Sequence, residues 1–111
     1  MSEWIPIVEA ADLGNDASTA QTRVAGILES CHWYVVWEYE VHDRGDGRTG
    51  RIDLIAFRDG NCICIEVDRE VPRKKSIRKL RETGYPGYVV LRDPRHGWSR
   101  VNPVCPDACQ D

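Results

Sequence analysis

No stretch of this chain is long and apolar enough to span a bilayer. Its opening residues, MSEWIPIVEAADLG, lack the basic start and unbroken apolar run of a secretory leader. The expectation is a cytoplasmic protein with no membrane partner. Room is short as well: 111 residues allow one domain, 1–111, with a modest core and no place for a second. The five cysteines, at positions 31, 62, 64, 105 and 109, are odd in number and match no zinc spacing. They read as reduced thiols, with Cys62 and Cys64 as small core residues. The Asp-Arg-Gly-Asp-Gly run at 43–47 lacks the twelve-residue spacing and closing Glu of a calcium loop, which excludes that chemistry. Nor does the composition suit a disordered chain, since 41% of residues are hydrophobic and 30% charged.

What is present centres on residues 50–68, GRIDLIAFRDGNCICIEVD. Ile52 to Phe57 and Cys62 to Val67 are apolar and partly β-branched, and Asp59-Gly60-Asn61 supplies turn residues between them, so the spacing predicts a β-hairpin. The first strand reads Ile-Asp-Leu-Ile-Ala rather than alternating, which predicts cover on both faces. Three acids interrupt these strands: Asp53, Glu66 and Asp68. A carboxylate in a buried strand is unfavourable unless it is paired or binds a metal. The two-residue period puts Cys62, Cys64, Glu66 and Asp68 on one face and Ile63, Ile65 and Val67 on the other. Closing the hairpin brings Asp53 beside Glu66, far from the turn. With the Val67 carbonyl between them, the two acids make an oxygen site suited to Mg²⁺ or Mn²⁺.

The pattern Gly50-x-x-Asp53, a dozen residues, then Glu66-x-Asp68 at the end of an apolar strand resembles the PD-(D/E)XK nuclease superfamily. The resemblance covers roughly residues 17 to 92. It implies a restriction-endonuclease-like core, an α/β fold with a mixed central β-sheet flanked by helices, and Asp53 and Glu66 as metal ligands. Two positions depart from the pattern. Ile52 replaces the family's Pro, and Asp68 stands where its Lys is usual. Activation of water would then fall to Asp68, as base or further ligand, or to a Lys that has moved to a neighbouring element.

The remaining elements follow in chain order. Residues 16 to 31 carry Ala20, Val24, Ile27, Leu28 and Cys31 at helical spacing behind a cap at Asp16 or Ser18; Gln21 and Glu29 are its polar positions that could turn towards a site. HWYVVWEYEVH reads as a strand whose period places Val36, Glu38 and Glu40 on one face. The family often carries an acid here, so Glu38 or Glu40 either adds a metal ligand or simply belongs to an exposed strand face. Residues 42–50 read as a loop that either is simply solvated or offers Arg44 and Arg48, with Arg51 beyond it, to phosphate. Residues 87–92 give a further strand, and 93–111, rich in Pro and Gly, read as an irregular tail. His96, alone in that tail, reads as solvated. The predicted order is α-β-β-β-α-β.

Charge is concentrated after Asp68. Arg69 to Arg81 holds seven basic residues and one acid, a net of +6 that leaves −9 for the rest of a chain totalling −3. Pro72 and Gly84 bracket a predicted helix with a narrow apolar stripe at Ile77 and Leu80. Arg69, Arg73, Lys74, Lys75, Arg78, Lys79 and Arg81, with Arg51, are the candidate contacts to a nucleic-acid backbone. Lys75 and Lys79, one turn apart, are the favoured replacements for the motif Lys, ahead of Arg69 and Lys74.

The expectation is a Mg²⁺-dependent DNA endonuclease of low base specificity or structure-selective action, RNA remaining an open substrate. One small copy favours a nicking enzyme or a homodimer. The alternative is an inactive domain of the same fold that binds nucleic acid or a protein partner, the latter through some of its four tryptophans.

Overall fold

The computed structural model describes residues 2–41, 50–93 and 95–106; within these, the side chains of residues 38–41 and 50 fall outside the description. The elements are α1 (Trp4–Glu9), α2 (Ala17–Ser30), β1 (Tyr34–Val41), β2 (Gly50–Arg58), β3 (Asn61–Arg69), α3 (Lys74–Glu82), β4 (Gly87–Asp93) and β5 (Trp98–Val104). They build one mixed sheet, β1-β2-β3-β4-β5 in space as in sequence. Every pair is antiparallel except β3–β4, which is parallel and joined through α3. A parallel pair cannot be closed by a tight turn, so the chain must cross over between these two strands.

The hairpin forms where the turn residues predict. Arg58 pairs with Asn61, leaving Asp59 and Gly60 as a two-residue turn with φ of 51° and 80°. Positive φ at both positions is the type I′ geometry whose twist matches that of the flanking strands. Both faces of β3 are covered. Ile63, Ile65 and Val67 join Trp4, Val8, Val24 and Leu28 beneath α1 and α2, and Cys64 packs with Leu80 of α3 on the other side. At the start of α2, Asp16 accepts the Thr19 N–H at 2.8 Å, as expected of a cap.

Two segments differ from the sequence reading. The region expected to be an irregular tail holds β5, paired with β4 from Gly87↔Val104 to Asp93↔Trp98. Its Pro and Asn content imitates a loop, but an edge strand tolerates Pro103, because one side of such a strand has no ladder to complete. The opening residues form α1, in which Trp4 and Val8 lie one turn apart and are buried. Pro6 fits in the first turn, where its missing N–H would have no helical partner. The order is therefore α-α-β-β-β-α-β-β.

The seating of α3 depends on Gly87. A Cβ there would lie 3.0 Å from the Leu80 Cβ, with the Leu80 Cγ and Cδ2 at 3.4 Å. Leu80 is fully buried, so the helix must shift to admit a methyl group. Gly87→Ala is expected to lower stability by about 1–3 kcal/mol in urea titration; an unchanged midpoint would refute this close contact.

Candidate active site

The β2–β3 ladder stops at Leu54↔Ile65, and the acids lie just beyond. There the side chains take over the role of ladder carbonyls. The Asp53 N–H donates to Glu66 Oε2 at 2.9 Å, and the Val67 N–H donates to Asp53 Oδ2 at 2.9 Å. Each carboxylate thereby satisfies an amide of the opposite strand. In an extended strand the N–H and C=O of one residue share an edge, so the Val67 carbonyl lies on the edge that faces Asp53.

Glu66 is completely buried. Burial first, and the Asp53 charge second, push its carboxyl up to about 7, partly opposed by Lys79 and by the Asp53 amide. Its Oε1 is buried and is ion-paired with the Lys79 ammonium. Lys79 also donates to the Arg51 carbonyl at 2.9 Å, which ties α3 to β2. Lys79, one of the two positions favoured from the sequence, therefore meets Glu66 from α3. Lys75, one turn earlier, is exposed.

A carboxyl held above its unfolded value binds its proton more tightly in the folded state. The resulting stabilisation is fully present below about pH 4.5 and is lost as pH rises through about 7. Melting curves at pH 5 and pH 8 should show a steeper fall in Tm for wild type than for Glu66→Gln, which cannot titrate. Parallel falls in the two proteins would contradict a raised Glu66.

Asp68 has a different task from the one expected of it. Its Oδ2 accepts the Arg73 N–H at 2.9 Å; its Oδ1 accepts Arg73 Nε at 2.8 Å and the buried Ser76 hydroxyl at 3.0 Å. Three donors bind this carboxylate to the first turn of α3, where negative charge also complements the helix dipole. It is a helix anchor rather than a group presented to water. Asp68 therefore positions the helix that carries Lys79. A signal existed in the sequence, since an acid five residues before Arg73 and eight before Ser76 can fold back onto a helix start.

No protein-family model, curated protein or solved structure matches this chain. Its site must be read from its own residues.

Beyond Lys79, α3 presents Lys74, Lys75, Arg78 and Arg81 to solvent. A shallow groove of about 390 Å³ runs along Lys74, Ile77, Arg78, Arg81 and Glu82. Arg73 remains largely exposed while bound to Asp68, and Arg69 leans towards Glu70 at 3.7 Å. Arg51 is exposed at the start of β2. Glu38 and Glu40 lie on β1, where the backbone of Glu40 pairs with Arg51, but their side chains are outside the description, as are Arg44 and Arg48. Gln21 and Glu29 sit on α2, across the opposite face of the sheet from Glu66. His96 is exposed and bound to Asp93 at 2.8 Å, whose carboxylate raises the affinity of the ring for a proton.

The site offers two acids for a cation. Among the described residues there is no group of three or more His, Cys, Asp or Glu that could hold a metal. Two carboxylates suffice for Mg²⁺, which retains waters and takes substrate oxygens for its remaining positions. The buried Glu66 Oε1, paired with the Lys79 ammonium, is the oxygen for which a cation would compete. A divalent ion and the Lys79 ammonium satisfy the same negative charge, so binding the ion implies a partial withdrawal of Lys79.

Proposed function

We propose that this protein is a divalent-metal-dependent nuclease with a restriction-endonuclease-like core, in which Lys79 on α3 stands in for the Lys missing at Asp68. One observation carries the reading: Asp53 and Glu66 lie side by side where the hairpin ladder ends, and the Lys79 ammonium meets Glu66 from a neighbouring helix. Asp53, Glu66 and the Val67 carbonyl would hold Mg²⁺ or Mn²⁺. Such an ion supplies Lewis-acid stabilisation of charge on the phosphodiester and acidifies water at the site. Lys79, released from Glu66, is placed to orient a water or offset phosphate charge. Lys74, Lys75, Arg78 and Arg81 would hold the backbone by salt-dependent contacts that carry no base information.

DNA is the proposed substrate, and RNA fits the same chemistry. Nicking by a single copy, or paired cuts by a homodimer, would suit so small a domain. A second reading has its own observation in favour: the Lys79–Glu66 ion pair already neutralises the site, as it would in a domain that binds nucleic acid without cutting it. Incubation of supercoiled plasmid and single-stranded DNA with Mg²⁺, Mn²⁺ or EDTA separates the two. Cleavage in metal alone is expected. Salt-sensitive binding by folded protein with no cleavage would select the second reading.

A further inference from the structure

The two acids and the basic helix leave one charged group unused. Arg92, on β4, is 8% exposed, and its Nε and Nη1 are buried without a hydrogen-bond partner among the described residues. An unpaired buried guanidinium is unfavourable by several kcal/mol and persists where something compensates it. It lines a pocket of about 180 Å³, between the α1–α2 loop at residues 12–15 and the start of β5. That volume holds several waters or one tetrahedral oxyanion.

The acids around the pocket have partners of their own. Asp12 accepts the Gly14 N–H at 2.9 Å and lies 3.7 Å from Arg23. Asp16 is held by the Thr19 amide and hydroxyl, at 2.8 and 2.9 Å. Asp93 accepts the N–H groups of Arg95 and His96 and binds the His96 ring. Among the described residues, Arg92 alone of these charges has no direct partner, although, after the Thr19 amide and hydroxyl, its charge helps to hold the Asp16 carboxyl low. A guanidinium is a donor suited to the oxygens of a phosphate.

We propose that this pocket binds a phosphoryl group through Arg92, at a site separate from Asp53 and Glu66. The group is either free phosphate or the terminal phosphate of a nucleotide chain. Binding to the native state alone raises its stability. The test is thermal unfolding of the full chain in chloride buffer with added inorganic phosphate. Wild type should gain at least about 4 °C once phosphate exceeds its dissociation constant tenfold. Arg92→Met should lose that gain, yet melt no lower than wild type in phosphate-free buffer, because it removes an unpaired buried charge. Arg92→Lys keeps the charge without the fork and should retain less than half of the gain. A wild type indifferent to phosphate overturns the proposal, and so does an equal gain in Arg92→Met, or in Arg92→Lys should the Met variant not fold. Tighter binding of a 5′-phosphorylated oligonucleotide than of its unphosphorylated twin would assign the site to a chain end; equal binding of the two, beside a response to inorganic phosphate, would assign it to the free ion. Asp53→Asn should respond to phosphate as wild type does, so this proposal and the nuclease reading fail independently.

Discussion

If the protein is the nuclease proposed, Asp53→Asn and Glu66→Gln are each expected to lower metal-dependent plasmid cleavage at least about a hundredfold, and combining them should add little, as for residues that act as one unit. Both substitutions preserve volume and an oxygen that can accept a backbone amide. The Val67 N–H can still donate to residue 53, and the Asp53 N–H to residue 66. The fold should survive, while the charge that holds a cation is reduced. Circular dichroism and urea titration check the first point, and calorimetry with Mn²⁺ checks the second. Metal affinity of wild type should rise between pH 6 and pH 8, because Glu66, raised to about 7, must release a proton to bind. Either variant cleaving at the wild-type rate would remove the acid pair from the chemistry. The supporting result is a loss of cleavage together with a loss of metal binding in folded protein.

Lys79→Met should be the most destabilising single change near the site. It keeps the aliphatic stem and removes the ammonium that meets Glu66 Oε1 and donates to the Arg51 carbonyl. At pH 8 this removes the counter-charge of the buried Glu66 carboxylate, which then either stays ionised beside Asp53 with no cation or takes up a proton, at an expected cost of about 3–5 kcal/mol. Near pH 5 the penalty should shrink, because Glu66 then takes up a proton and no longer needs a counter-charge. Removal of Lys79 also takes away one of the influences that lower the Glu66 carboxyl, so its titration moves higher still. Urea titrations at the two pH values measure the difference. A loss below about 1 kcal/mol that does not change with pH would mean that the pair is solvated and energetically slight. Cleavage should fall with Lys79→Met, whereas Lys75→Ala, at an exposed position, should only weaken binding in a salt-dependent way.

Asp53, Glu66 and Lys79 illustrate what local pattern can reveal. The hairpin was legible because a type I′ turn and two apolar runs are short-range signals, and a two-residue period fixes which side chains share a face. Once the turn is placed, Asp53 and Glu66 have to meet. The basic helix was legible in the same way, from Pro72, Gly84 and the spacing of Ile77 and Leu80. Its two lysines were equivalent on that spacing, and the choice between them was not local. It depends on where α3 lies against β2 and β3, which is set by Leu80 against Gly87 and by Asp68 drawing in Arg73 and Ser76.

Asp68 and β5 were misread for a related reason. At the level of sequence, an acid two residues after Glu66 is indistinguishable from a third member of a candidate site, and only the approach of Ser76 and Arg73 shows where its oxygens are spent. Residues 98–104 carry weak strand preference and a Pro, and they form a strand because β4 offers them an open edge. The sequence by itself therefore determined the alternation of faces, the turn, the pairing of Asp53 with Glu66 and the polarity of α3, since each follows from neighbours a few residues apart. Tertiary structure alone decided that Lys79 reaches Glu66, that Asp68 serves the helix and that Arg92 is buried without a hydrogen-bond partner among the described residues. Those three outcomes depend on how close separate elements approach, and that distance is set by packing across the sheet.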